Sequence, residues 1–200
     1  SPGSGPARRG PGIDVCAGWQ TGGMLVECLA EGGTIPHSLG PPAPVLAVAD
    51  DPLAWHDRPP VRPLVTRRTR RLDVVSPVAL GPVRIDAHFR DSYGFTDGTE
   101  RSLHEYTIEA EVDSVSRTVT SAQAVPRALP WPECPQAADS AARLGGLVLD
   151  DLAELVRRQF TGITTCTHLN DTMRSLADGA ALLGLATSGT PGAGQQRARG

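Results

Sequence analysis

The sequence predicts an α+β fold, in which a three-stranded antiparallel meander is followed by a helical C-terminal half. Two observations support this prediction. Between about residues 72 and 125, apolar and polar residues alternate with a period of two, which is typical of half-buried strands. After Pro130, the apolar residues recur at helical spacing instead. Short turn sequences separate the alternating runs, as a meander requires.

The composition excludes several functional classes. The 200 residues are 40% hydrophobic and 20% charged, so a buried core is expected. The net charge of -3 lacks the basic excess of nucleic-acid-binding proteins, so we expect no nucleic-acid partner. No apolar run approaches the roughly 18 residues of a membrane span, and four scattered cysteines do not form a disulfide scaffold. We therefore expect a cytoplasmic protein without membrane attachment, whose protein or small-molecule partner is unknown.

The first third of the chain is predicted to lie outside the core domain. Residues 1–12 are rich in glycine, proline and serine, and we expect them to be disordered. Residues 13–65 combine a short helix, from Ala17 to Glu31, with a proline-dense strap. Leu53 and Trp55 are the residues that we expect to pin this strap to the core.

A faint internal similarity offers another interpretation of residues 13–65. Val15 to Trp19 and Thr165 to Leu169 each place a cysteine before an amphipathic helix. The first segment would then be the end of a preceding repeat, and the chain would be a fragment of a longer two-repeat protein. The sequence leaves this alternative open.

The core domain is predicted over residues 66–185, with a disordered tail over residues 186–200. Four arginines lie between Thr66 and Leu72, and we interpret them as a solvated strand edge, with an anion-binding patch as the alternative. Three well-defined strands follow near residues 83–90, 104–113 and 118–125. Three helices are then predicted near residues 136–144, 149–160 and 167–183. The last helix should bury Leu169, Met173, Leu176, Ala180 and Leu183.

Two cysteines and two histidines are the residues that we expect to carry chemistry. Cys134 precedes Pro135 at the start of one predicted helix, and Cys166 precedes the last one. The partial positive charge at a helix N-terminus favours the thiolate, which binds metals and attacks electrophiles. His168 follows Cys166 by two residues, and His104 lies on the apolar face of its strand, where a neutral or ligating imidazole is favoured. Each of these residues, taken alone, also fits a purely structural role in the core.

The spacing of Cys166 and His168 predicts a particular backbone. Residues two apart in a regular helix point about 200° apart, so these two side chains cannot both face one centre from within a helix. They converge if Cys166 lies in the non-helical cap. We therefore predict that the regular helix starts at Thr167.

Three segments carry a family resemblance: His104 to Ala110, Leu129 to Pro135, and Thr165 to Thr172. Together they resemble an uncharacterised bacterial domain-of-unknown-function family, whose hallmark is a C-terminal Cys-Thr-His-Leu motif. The resemblance covers about residues 66 to 185. It implies a site but no reaction.

The order of elements has a second, distant resemblance to iron–sulfur scaffold proteins of the NifU/IscU type. In that family one cysteine follows a meander and a late cysteine opens the last helix, and Cys134 and Cys166 match these places. The first scaffold cysteine has no cysteine counterpart here, although His104 is near its place. The scaffold histidine precedes the last cysteine, whereas His168 follows Cys166.

The sequence supports three functions. The first is a metal-binding domain, which we favour, with ligands Cys134, Cys166 and one or both of His104 and His168. Thiolate and imidazole donors suit zinc or an iron–sulfur cluster. The second function is a thiol-dependent enzyme, with Cys166 or Cys134 as nucleophile and His168 as base. The third is a binding or scaffolding domain without chemistry.

Overall fold

The centre of the fold is a four-stranded antiparallel sheet with the strand order β1-β2-β3-β4. The computed structural model describes residues 12–35, 40–75 and 81–188, except for the side chains of residues 186–188. Its strands are β1 (Thr66–Val75), β2 (Val83–Gly94), β3 (Glu100–Val112) and β4 (Val119–Ala128). The α+β class and the antiparallel meander are as predicted, but the predicted number of three strands is wrong.

The additional strand, β1, is the arginine-rich segment. Arginines occupy both of its sides, so its sequence lacks the apolar stripe that reveals a half-buried strand. Its backbone pairing with β2 defines it instead. It forms an edge of the sheet, in agreement with the interpretation as a strand edge. Each of its four arginines is paired with a carboxylate, so the positive charges are compensated and do not favour an anion-binding patch. These arginines are Arg67, Arg68, Arg70 and Arg71.

Helices pack on one face of the sheet, which we call the helical face. After α1 (Met24–Ala30) and the strands come a 3-10 helix (Cys134–Leu144), α2 (Leu152–Gln159), α3 (Thr167–Ser175) and α4 (Asp178–Ser188). One core joins the sheet and these helices, and it includes both Ile108 of β3 and Leu176, which follows α3. The predicted inward stripe is also confirmed, since all five residues are buried: Leu169, Met173, Leu176, Ala180 and Leu183.

Two predicted helices are interrupted. The helix predicted from Ala17 to Glu31 is a single 3-10 turn followed by α1, because Gly22 adopts a positive φ between them. The last predicted helix is divided into α3 and α4. The amides of Leu176 and Ala177 bond to carbonyls three residues back, which tightens the backbone and ends α3.

The strap crosses the opposite, outer face of the sheet. The Trp55 ring packs edge-on against His88 with 5.2 Å between ring centroids, so Trp55 pins the strap to the outer face of the sheet rather than to the core. Leu53, the other predicted pin, is 88% exposed, so that prediction is wrong. Leu53 lies in a turn in which its N–H donates to the Asp51 carboxylate, and this turn projects from the surface.

A buried charge cluster lies between the strap and the sheet. Arg90 makes a bidentate ion pair with Glu105, with both donor–acceptor distances at 2.8 Å. The Glu105 carboxylate also contacts His88 and Ser102, each at 3.0 Å. Burial alone raises the pKa of Glu105, but hydrogen bonds from His88 and Arg90 and the Arg90 charge outweigh it and lower the pKa to about 2. Arg90 also donates to the Pro44 carbonyl at 2.6 Å, which fastens the strap to the sheet.

The predicted disorder at residues 1–12 and 186–200 falls largely outside the described residues. In the described part of the chain, no helix has both the length and the apolar character needed to cross a membrane.

Candidate functional site

The candidate site lies on the helical face, where three strands meet the start of α3. Arg68, Asp91 and His104 form a row across β1, β2 and β3, because Asp91 is the register partner of both other residues. His168, in the first turn of α3, lies over this row. Its ring stacks on that of His104, with centroids 3.6 Å apart and planes inclined by 18°. We call Asp91, His104 and His168 the His/Asp cluster.

The start of α3 has the backbone that the Cys-Thr-His spacing predicts. The regular helix begins at Thr167, and Cys166 is its N-cap with extended backbone angles, φ −129° and ψ 130°, so this prediction is confirmed. Cys166 Sγ lies 3.9 Å from His168 Nδ1. The other ring nitrogen, Nε2, lies 3.5 Å from Asp91 Oδ2. His168 therefore connects the cysteine to the carboxylate.

A bidentate ion pair holds the Asp91 carboxylate in place. Arg68 Nε and Nη2 donate to its two oxygens at 2.8 and 2.7 Å. The same guanidinium also donates to Asp171 of α3 at 3.0 Å, and Arg70 pairs with Asp171 as well. Bidentate arginine–carboxylate pairs are directional, so this network fixes the orientation of Asp91 and ties α3 to β1.

Both imidazoles of the cluster are neutral at pH 7. Burial, followed by the charge of His168, lowers the pKa of His104 to about 3. Burial also lowers the pKa of His168, although the Asp91 carboxylate opposes this. This agrees with the neutral imidazole expected for His104 on an apolar strand face. A neutral imidazole has a lone pair available for a metal ion or a proton.

A pocket of about 360 Å³ opens beside the His/Asp cluster. All three members of the cluster line it, together with Arg68 and Leu103. Cys166 does not line this pocket and is only 4% exposed. A small molecule in the pocket would therefore meet the histidines and the carboxylate before it met the thiol.

The His/Asp cluster approaches the spacing of a metal site. One ligand atom from each of its three side chains lies within 4.8 Å of the other two, and no other group of His, Cys, Asp or Glu within the described segments is spaced in this way. Two atoms bonded to one zinc ion at about 2.0 Å each lie at most about 4 Å apart. Binding of a metal ion would thus bring the ligand atoms about one ångström closer together and rotate the two imidazole rings out of their stack.

The two predicted cysteine ligands lie around the hydroxyl of Tyr106, and Cys166 also contacts the cluster through His168 Nδ1. Burial, followed by the neighbouring thiols of Cys166, Cys134 and Cys16, raises the pKa of Tyr106. Cys134 begins its 3-10 helix and Cys166 caps α3, so both are helix-start cysteines as predicted. The His/Asp cluster therefore includes both predicted histidines but neither Cys134 nor Cys166.

The expectation that a helix start stabilises the thiolate is wrong for Cys134. Burial raises the pKa of its thiol to about 12, although a backbone hydrogen bond at Trp131 opposes the rise. The charges of Cys166 and Cys16 raise it further. Desolvation therefore outweighs the favourable dipole of this 3-10 helix.

Two residues around the site were not predicted to belong to it. Cys16 lies near Tyr106 because the Ala17 N–H donates to the Thr165 carbonyl at 2.9 Å. This hydrogen bond places the segment around Cys16 beside the similar segment around Cys166. Asp91 could be found from the sequence by following the alternating pattern of β2 beyond Arg90. It is a carboxylate on the same side of β2 as the apolar residues Val83, Ile85, Ala87 and Phe89.

Replacing Tyr106 with phenylalanine is expected to raise the free energy of unfolding by about 1 kcal/mol, because the buried Tyr106 hydroxyl pays a desolvation penalty. The Cys166 thiol adjoins this hydroxyl as a weak hydrogen-bond partner, and the hydroxyl has no nitrogen or oxygen partner among the described residues. Urea denaturation of Tyr106→Phe and of Tyr93→Phe, the other tyrosine, measures the difference. A loss of more than about 1 kcal/mol in Tyr106→Phe alone would mean that the thiol accepts a significant hydrogen bond.

A family model matches residues 66–182, which is more than half of the chain, and its description is "Protein of unknown function (DUF2889)". The chain belongs to the DUF2889 family. The predicted resemblance to an uncharacterised domain family is thus confirmed, and the whole His/Asp cluster lies within the DUF2889 region. No curated protein and no solved structure matches the chain. The likeness of this DUF2889 domain to NifU/IscU-type scaffolds stays a prediction.

Proposed function

We propose that the DUF2889 domain binds one divalent transition-metal ion through Asp91, His104 and His168. The observation that carries this proposal is the spacing of the three side chains, whose ligand atoms lie within 4.8 Å of one another. Two imidazoles and one carboxylate are the donor set of many iron(II) sites and of several catalytic zinc sites. Such sites keep at least one coordination position open for water or a substrate.

The surroundings of the cluster support a metal site with an open position. The pocket of about 360 Å³ provides space for an additional ligand. Cys166 Sγ lies behind His168 Nδ1, where a neighbouring group can fix the orientation of a ligating imidazole. Arg68 orients Asp91, although its positive charge opposes a cation and its second partner, Asp171, is shared with Arg70 and Arg174.

This ligand set differs from the one that the sequence predicts. An iron–sulfur cluster, as in the NifU/IscU resemblance, needs thiolate ligands such as Cys134 and Cys166. The DUF2889 domain would then bind metal on the side of Tyr106 rather than in the pocket. The nature of the donor atoms therefore distinguishes the two sites.

Cobalt(II) titration of the purified, metal-free protein tests the proposal. Nitrogen and oxygen ligands give weak visible bands, whereas thiolate ligands add an intense sulfur-to-cobalt charge-transfer band in the near ultraviolet. We expect stoichiometric binding with the visible bands alone. The intense ultraviolet band, or no binding at all, would contradict a His/Asp metal site.

A second candidate function is thiol-dependent catalysis with Cys166 as nucleophile and His168 as base. The observation in its favour is the chain of contacts from Cys166 Sγ to His168 Nδ1 and from His168 Nε2 to Asp91. The burial of Cys166 argues against it. Alkylation of metal-free protein by iodoacetamide separates the two functions, because a nucleophile should react faster than the more exposed Cys28.

A further inference from the structure

A second pocket, of about 380 Å³, lies on the outer face of the sheet beneath the strap. Its floor includes Arg71, His88 and Thr107, which are register partners on β1, β2 and β3. Trp55 and Leu46 of the strap line it from the other side. This strap pocket shares no lining residue with the pocket beside the His/Asp cluster.

His88 contributes a buried polar atom without a partner. Its Nε2 lies 3.0 Å from the carboxylate of Glu105, which is ionised at pH 7, so Nε2 carries the proton and donates it. In the neutral ring, the lone pair is then on Nδ1. This atom is buried, and it has no hydrogen-bond partner within the described part of the chain. A ligand that donates a hydrogen bond to Nδ1 would remove the cost of leaving it unpaired.

Arg127 supplies a positive charge at the edge of the strap pocket. Its Nε donates to the Thr107 hydroxyl at 3.3 Å, and it makes no ion pair with a described carboxylate. The other two arginines of the pocket are paired, Arg71 with Asp73 and Arg84 with Asp86. These two pairs leave the charges of Arg127 and Glu109 in the lining, and Arg127 is therefore the group to which an anion can bind.

We propose that the strap pocket binds a small organic carboxylate that has an apolar body and one N–H or O–H donor. The carboxylate pairs with Arg127, whose guanidinium offers parallel donors. The apolar body lies against Trp55 and Leu46. The donor bonds to His88 Nδ1, which fixes the orientation of the molecule. This site lies on the opposite face of the sheet and is independent of the proposed metal site.

Three matched probes test this assignment. Hippurate has an aromatic body, an amide N–H and a carboxylate, whereas 3-phenylpropionate lacks the N–H and N-methylbenzamide lacks the carboxylate. The readout is the indole N–H resonance of Trp55, which the variant Trp55→Phe identifies among the three tryptophans. Hippurate should shift this resonance at millimolar concentration, and each control probe should bind at least several-fold more weakly.

A pair of variants tests the role of the unpaired arginine. Arg127 is exposed, so Arg127→Gln should fold normally and weaken hippurate binding about tenfold or more. Arg158→Gln, at another exposed arginine, in α2, should leave binding unchanged. The proposal is overturned if hippurate leaves the Trp55 resonance in place, if 3-phenylpropionate binds as tightly, or if Arg127→Gln binds like the unmodified protein.

Discussion

Replacing His104 with alanine should lower the affinity for zinc by at least about 100-fold. Changes to groups that merely support a metal ligand cost about 10- to 100-fold, so the loss of a ligand itself should cost at least the upper value. His168→Ala should have an effect of similar size. Competition with a chromophoric chelator measures these affinities in the purified variants.

The control for this prediction is His56→Ala, since His56 is an exposed histidine of the strap on the other side of the sheet. Its affinity for zinc should equal that of the unmodified protein. Cys134→Ser should also bind normally if the His/Asp cluster is the site. A loss of binding in Cys134→Ser, with normal binding in His104→Ala, would instead favour the cysteine ligands that the sequence predicts.

Replacing Arg90 with methionine should lower the free energy of unfolding by about 3 to 5 kcal/mol. The Arg90 and Glu105 side chains are only 5% and 10% exposed, so the substitution leaves a carboxylate buried with its main counter-charge removed. It also removes the hydrogen bond that fastens Pro44 to the sheet. Urea denaturation at pH 7 measures the change.

Two further variants define the cause of that loss. Arg117→Met breaks the exposed pair with Asp150 and should cost no more than about 1 kcal/mol. The double variant Arg90→Met with Glu105→Leu removes both buried charges, so it should recover much of the lost stability. If the double variant is no more stable than Arg90→Met, the buried charge is not the reason for the loss.

The sequence predicted those strands and helices whose apolar residues recur at a regular spacing along the chain. The period of two located β2, β3 and β4, and the helical spacing identified the buried stripe from Leu169 to Leu183. The start of α3 could be predicted because the Cys166–His168 spacing leaves few backbone solutions. By contrast, arginine on both sides of β1 concealed its period, and main-chain pairing with β2 determines that strand.

The composition of the candidate site could be predicted only in part. His104 and His168 were identified from their own positions in a strand and a helix start. Asp91 faces His104 in the register that β2 and β3 keep from Val83 to Asp91, and a β-bulge changes the register directly after it. A single sequence does not specify this register or the bulge that ends it. The absence of Cys134 and Cys166 from the His/Asp cluster likewise depends on packing between distant segments.

The hydrogen bond from Arg90 to the Pro44 carbonyl has a consequence for the order of folding. The strap is synthesised before the sheet, yet Arg90 is positioned by Glu105 of the neighbouring strand, so the docking point is complete only after β2 and β3 have paired. Closing this contact joins residues 46 positions apart and follows the formation of the shorter β2–β3 hairpin. The strap should therefore dock late during refolding, and its amides should gain protection from hydrogen exchange after those of the hairpin.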